Sequence, residues 1–231
     1  MRKLHLWYIP AAFFAVCCIL NLYGCLTEYG LERCVKPALL PLLCVTTLAY
    51  LLEGGGQPDF KKTALLICGQ LFGFAGDTML LGKGFPFFAG GIGLFLIGHI
   101  FYISLFGGQS WKGMKPWAWA AAIPVCLAAT AALALGIGVS GVMLLPMGVY
   151  GFVLMLLIFS TLAGVLRRGG ATWRILLCGA LLFTFSDALI AVRNFGDLSP
   201  FMSGFGVMST YLAAQVLLAV GGIRLVRQEA I

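Results

Sequence analysis

The sequence predicts an all-α integral membrane protein: a single domain over residues 1–231 with eight transmembrane helices and both termini cytoplasmic. Three observations predict it. Apolar side chains make up 61% of the 231 residues and charged ones only 10%, with a mean hydropathy of +1.01, whereas a soluble globule is about a quarter charged because charge wets its surface. The apolar runs are continuous over about 20 residues, the length that crosses hydrocarbon. They show no strand-like alternation, so helices are what satisfies the backbone. Lys and Arg gather on one side of these runs. The same composition excludes a disordered chain, a secreted disulfide scaffold and a nucleic-acid-binding module. The net charge of +7 then speaks to topology rather than to a polyanionic partner.

Cutting the chain at its charges places the helices at about 6–26, 35–52, 63–82, 86–106, 117–139, 141–165, 174–192 and 201–223. The first follows Arg2 and Lys3 and has the outline of a signal peptide. No small-x-small cleavage site follows it, and Tyr23 stands where a lipoprotein site needs a small residue, so a retained span is expected. Lys36 opens the second span. Gly69, Gly73 and Gly76 on the third permit close helix approach. The fifth and sixth come from one uncharged stretch between Lys115 and Arg167, too long for one crossing, with Gly136, Gly138, Ser140 and Gly141 marking the turn. The eight cysteines lie mostly inside helices and never form C-x-x-C, so they read as small packing residues rather than as disulfides or metal ligands.

An even number of crossings puts both termini on one side. That side collects Arg2, Lys3, Lys61, Lys62, Lys112, Lys115, Arg167, Arg168, Arg174, Arg224 and Arg227, against Arg33, Lys36, Lys83 and Arg193 on the other. The excess marks the cytoplasm. Cysteine labelling should place Arg167–Arg168 inside and Lys83 outside. Labelling of the Lys83 loop only from the cytoplasm would reverse the orientation. The absence of an N-x-S/T sequon suits a bacterial plasma membrane, with the endoplasmic reticulum as the alternative.

A carboxylate in hydrocarbon costs about 2.5–3.5 kcal/mol on insertion scales, and so carries a functional reading. There are two, Asp77 in the third span and Asp187 in the seventh. On the spans as cut, both lie roughly 6–7 Å from the helix midpoints, clear of the ends and at one depth, which permits a face-to-face pair. The plainer reading is a structural cap or salt bridge to Lys36 or Arg193. Asn21 and Lys36 share that outer half. Tyr150, and Tyr211 with Gln215 at i, i+4, lie near the midplane, while His99 and Tyr102 share a face deeper in the fourth span. Each Tyr, His or Gln alone could be a packing or interhelical hydrogen-bonding residue. Together with the Asp pair and Lys36 they outline a polar cavity. An internal echo links the third and seventh spans: Leu66, Cys68, Gly69, Leu71 and Asp77 repeat as Leu176, Cys178, Gly179, Leu181 and Asp187. It suggests two four-helix halves in parallel orientation.

The sequence holds no nucleophile elbow, no H-E-x-x-H, no P-loop and no Cys/His metal cluster. Two carboxylates in a dry cavity can divide the roles of acid and base. The intramembrane aspartyl protease pattern G-x-G-D is broken by Ala75, and Asp187 follows Ser186 rather than Tyr.

Lys36–Pro37, Gly76–Asp77, His99–Ile100–Phe101–Tyr102, Gly148–Val149–Tyr150, Ser186–Asp187 with Asn194–Phe195, and Ser209–Thr210–Tyr211 with Ala214–Gln215 occur in an order that resembles the lysoplasmalogenase family over about residues 35–220. The resemblance implies an eight-helix enzyme that hydrolyses the vinyl ether of lysoplasmalogens to a fatty aldehyde and glycerophosphoethanolamine or glycerophosphocholine. It implies Asp77 and Asp187 as the catalytic pair, with Lys36, His99, Tyr102, Tyr150, Tyr211 and Gln215 lining the substrate pocket; Asn21 joins the expected substrate-binding set by its depth in the first span, outside the resemblance. The expected partners are a lysophospholipid and membrane lipid, with no metal or organic cofactor. The chemistry suits the residues: protonation of the alkenyl carbon gives an oxocarbenium ion, and paired carboxylates serve related cations in glycosidases. Two other readings of the same residues are a proton-coupled transporter, which would need access from both faces, and a non-enzymatic lipid-binding protein.

Overall fold

The computed structural model describes residues 5–27, 30–54 and 57–227, so Arg2 and Lys3 of the topology argument lie outside the described residues. Among these residues there are eight α-helices and no strand: α1 (Tyr8–Leu26), α2 (Leu31–Glu53), α3 (Phe60–Met79), α4 (Phe85–Ser110), α5 (Pro116–Ile137), α6 (Leu144–Arg167), α7 (Gly170–Phe195) and α8 (Val207–Arg227). A 3₁₀ turn, Gly141–Met143, leads into α6 and a π-helical turn, Met202–Gly206, into α8. The turn between α5 and α6 falls where its glycines predicted it. Gly138 and Gly141 both adopt positive φ, which a side chain would resist.

Seven of the helices are long and apolar enough to cross a membrane, which makes this a multi-pass membrane protein. The seven-span set omits α3. That helix carries Lys61, Lys62, Gln70 and Asp77, and the last two are buried. Large apolar side chains such as Phe13, Ile19, Leu135 and Leu145 face outward, while Asn21, Gln70, Asp77, His99 and Gln215 are enclosed. This inversion of the soluble pattern fits a lipid solvent.

Three expectations need correction. Helix α2 begins at Leu31, so Lys36 sits on its second turn rather than opening it. Helix α3 stops at Met79, because the chain turns through Leu80–Gly84 with Gly84 at positive φ. Asp77 is therefore in the last turn of α3, about 11 Å from its midpoint, whereas Asp187 is about 7 Å from the midpoint of α7. Nor do the compact units follow four-helix halves. One comprises Met1–Phe101 with Ala219–Ala230 and the other Tyr102–Leu218, so the division runs inside α4 and α8.

In the first unit α1 packs on α2 and α2 on α3. Gly24 admits the first turn of α2 so closely that even a methyl group would meet the Glu32 backbone. Gln70 Nε2 donates to Thr47 Oγ1 at 3.0 Å between α2 and α3. Asp59 caps α3 by accepting from the Lys62 amide at 3.1 Å, and that bond, with the Lys62 charge, lowers the Asp59 carboxyl below its ordinary range. The described ends of the chain meet at the end of α2. The Trp7 amide donates to Glu53 Oε1 at 3.0 Å, and Arg227 bonds the Tyr50 carbonyl and stacks over its ring at 4.3 Å.

In the second unit α6 packs against both α5 and α7. Gly164 leaves its space to the fully buried ring of Trp173. Arg167 donates to the Ser110 and Lys112 carbonyls at 3.3 and 3.1 Å, and Arg168 to that of Gln109 at 3.0 Å. These bonds gather a basic cluster where α4 and α6 end. The internal echo is kept in burial. Leu66 and Leu176 are both 0% exposed, Leu71 and Leu181 are 46% and 49% exposed, and Gly69 and Gly179 are both buried.

Candidate active site

Asp77 and Asp187 each have a local partner within their own unit. Lys36 Nζ lies 3.1 Å from Asp77 Oδ1, with the side chains 17% and 3% exposed. A carboxylate in the last turn of a helix faces the negative end of the dipole, and Asp77 is enclosed as well. The ammonium supplies the counter-charge that makes this position tenable. Lys36 reaches it from α2, where Pro37 and Pro41 interrupt the backbone ladder.

Asn21 and Glu32 meet where α1 packs on the first turn of α2, one turn before Lys36. Asn21 is 0% exposed, and its Nδ2 donates to the Glu32 carbonyl at 3.0 Å. Glu32 precedes Lys36 by one turn of α2. His99, also buried, has its Nδ1 2.7 Å from the Phe95 carbonyl of its own helix, which makes Nδ1 the protonated nitrogen.

In the second unit the Tyr150 hydroxyl donates to Asp187 Oδ2, a short bond between α6 and α7. Both side chains line a small cleft that is otherwise apolar apart from Thr130, with Leu133, Met147 and Leu154 among its walls. Gly151 keeps it open: a methyl group there would press on Thr130 Cγ2. Gln215 Nε2 donates to the Tyr211 hydroxyl at 3.1 Å, and the Tyr102 hydroxyl makes a long contact, 3.5 Å, with Gln215 Oε1. All three are buried. Ser186 Oγ donates to the Val207 carbonyl at 3.0 Å, which ties the turn before Asp187 to the start of α8.

The predicted residues thus assemble locally as Lys36 with Asp77, Tyr150 with Asp187, and Tyr102 with Tyr211 and Gln215. Asn21 joins the first group through Glu32, and His99 bonds within α4. Arg193, offered by sequence as a partner for Asp187, donates to the Ser203 carbonyl at 3.4 Å. Sequence reasoning missed Glu32, Thr130 and Gln70. Gln70 was detectable as an amide inside an apolar run. Thr130 was not, because a lone Thr in a membrane helix usually bonds its own backbone, as this one does to Cys126 at 2.8 Å.

The profile of the YhhN family matches residues 31–222. Among curated proteins the chain is similar to lysoplasmalogenase TMEM86A of Homo sapiens, 31% identical over 188 residues, 80% of this chain and 75% of that one. It is also similar to lysoplasmalogenase TMEM86B of Mus musculus, 29% identical over 184 residues, 80% and 73% of the two chains. TMEM86B of Homo sapiens is 28% identical over 186 residues, with the same coverage. No solved structure gives a significant match.

Proposed function

The chain belongs to the YhhN family, and from that premise we propose that it is a membrane hydrolase that cleaves the vinyl ether of lysoplasmalogens to a fatty aldehyde and a glycerophospholipid head group. The observation that carries this reading is Asp187, bonded to Tyr150 in the wall of an apolar cleft, in a chain whose relatives are named lysoplasmalogenases. A carboxyl beside hydrocarbon-lined space is where an alkenyl chain could present its first carbons to a proton.

In this reading Asp187 protonates the alkenyl carbon β to the ether oxygen, and the carbon bearing that oxygen becomes an oxocarbenium ion. Tyr150 holds Oδ2 and so sets the carboxyl plane. Asp77, with its counter-charge from Lys36, takes a proton from water as the water adds to the cation. The hemiacetal then collapses to the aldehyde: the bond to the glycerol oxygen breaks, Asp77 passes the proton it took from water to that oxygen, and the proton of the hemiacetal hydroxyl returns to Asp187. One water is consumed and no electrons are transferred. The eight crossings, α3 among them, and cytoplasmic termini in a bacterial plasma membrane belong to the same proposal. The meeting of both described chain ends at Tyr50 and Glu53 supports only the part of it that puts the two ends on one side, an even number of crossings.

The test is product formation. Purified protein incubated with lysoplasmalogen should release free aldehyde and a stoichiometric glycerophospholipid. Binding without aldehyde would remove the hydrolase reading and leave a lipid-binding protein.

A further inference from the structure

Two buried acceptors near the Lys36–Asp77 pair lack hydrogen-bond partners. Asn21 Oδ1 and Glu32 Oε2 are both enclosed and unbonded. The orientation of the Asn21 amide is set by its donor, since Nδ2 bonds the Glu32 carbonyl, so the unbonded atom is the oxygen. An enclosed acceptor without a donor destabilises the fold, more so when charged, and two on one α1–α2 contact need an explanation. Lys36 could have satisfied Glu32 from one turn away, but its ammonium is engaged with Asp77. Carboxylate and amide oxygen together ask for a cation that carries N–H donors.

The order along α2 supplies the ligand. Glu32 lies about 6 Å nearer the start of the helix than Lys36, and Lys36 in turn meets Asp77. An ethanolamine lysolipid presents, in the same order, a primary ammonium, a phosphate, and the ether linkage to its chain. We propose that Asn21 Oδ1 and Glu32 Oε2 form the receptor for the primary ammonium of an ethanolamine head group, with Lys36 facing its phosphate. A choline head carries the same charge but no N–H, so it leaves both acceptors unbonded. The site therefore selects ethanolamine over choline lipids. This assignment rests on the hydrolase reading of Asp77 and names its head-group preference.

The test separates the two. Saturated 1-O-alkyl lysophosphatidylethanolamine and lysophosphatidylcholine lack the vinyl bond and cannot be cleaved, so their binding to the full-length protein in detergent is scored apart from aldehyde release. The ethanolamine lipid should bind about tenfold more tightly, the difference one charge-assisted hydrogen bond makes. Glu32→Gln and Asn21→Leu should each shrink that ratio toward one, and Glu32→Gln, nearly isosteric, guards against a folding defect in the other. Equal binding of the two lipids by the unaltered protein would overturn the proposal, as would a ratio that survives both substitutions. So would a Glu32→Gln protein that loses both lipids alike, which would point to the sn-2 hydroxyl they share. A clear ratio without aldehyde release from lysoplasmalogen would keep the receptor and discard the hydrolase. Release without a ratio would do the reverse.

Discussion

Asp77→Asn and Asp187→Asn should each abolish aldehyde release while leaving a folded, monodisperse protein. Asn keeps the shape and part of the hydrogen bonding but cannot exchange a proton at neutral pH. Loss of a general acid or base lowers turnover by about 100- to 10,000-fold. On the proposed mechanism one carboxyl protonates carbon and the other activates water within one reaction, so the double variant should be hardly slower than either single one. The stability effects should differ. Asp187→Asn retains an acceptor for Tyr150 and should melt near the unaltered protein, whereas Asp77→Asn strands the Lys36 ammonium and should melt lower. Turnover and melting temperature measured on the same preparations distinguish lost chemistry from lost folding. A well-folded single variant with near-normal turnover would defeat the two-carboxylate mechanism.

Lys36→Met should be the most damaging change to the fold. It leaves Asp77, 2% exposed, without its ion-pair partner in the last turn of α3. Removing one member of a buried pair costs about 3–5 kcal/mol. Lys36→Met with Asp77→Asn removes both charges, so most of the lost stability should return while turnover stays absent. Lys83, exposed in the loop before α4, provides the comparison, and Lys83→Met should behave like the unaltered protein. Thermal unfolding in detergent reads the outcome. Equal and small effects of Lys36→Met and Lys83→Met would reduce Lys36 to an interfacial anchor.

The eight helices were legible because a lipid solvent writes its requirement directly into composition: continuous apolar runs bounded by charge. Their ends were less so, for the same reason. Cutting at charges discards polar residues that helices retain near the interface, and so Glu32 and Arg33 were shorn from α2 and Arg193 from α7. Losing Glu32 in this way hid an acidic residue one turn before Lys36 whose Oε2 is enclosed and unbonded. At the other end of α3, Thr78–Gly82 continues an apolar run although the backbone turns, which misplaced Asp77 by a turn. Within the site, the Lys36–Asp77 pairing could be read from charge alone. Tyr150 with Asp187 could not, because a neutral hydroxyl carries no charge to single out its partner and no periodicity links α6 to α7. The echo between α3 and α7 was legible as identities, and their matched burial gives it a packing meaning.

The polar interior of α3 has a consequence for biogenesis. A segment carrying Gln70 and Asp77 partitions poorly into a bilayer on its own. Its partners, Thr47 for the amide and Lys36 for the acid, lie on the helix synthesised immediately before it. With α3 as one of the proposed crossings, its insertion would be conditional on α2: the two helices would leave the translocation machinery as a hairpin, charges already matched. The ion pair that positions a reacting group would then first have served as an entry permit.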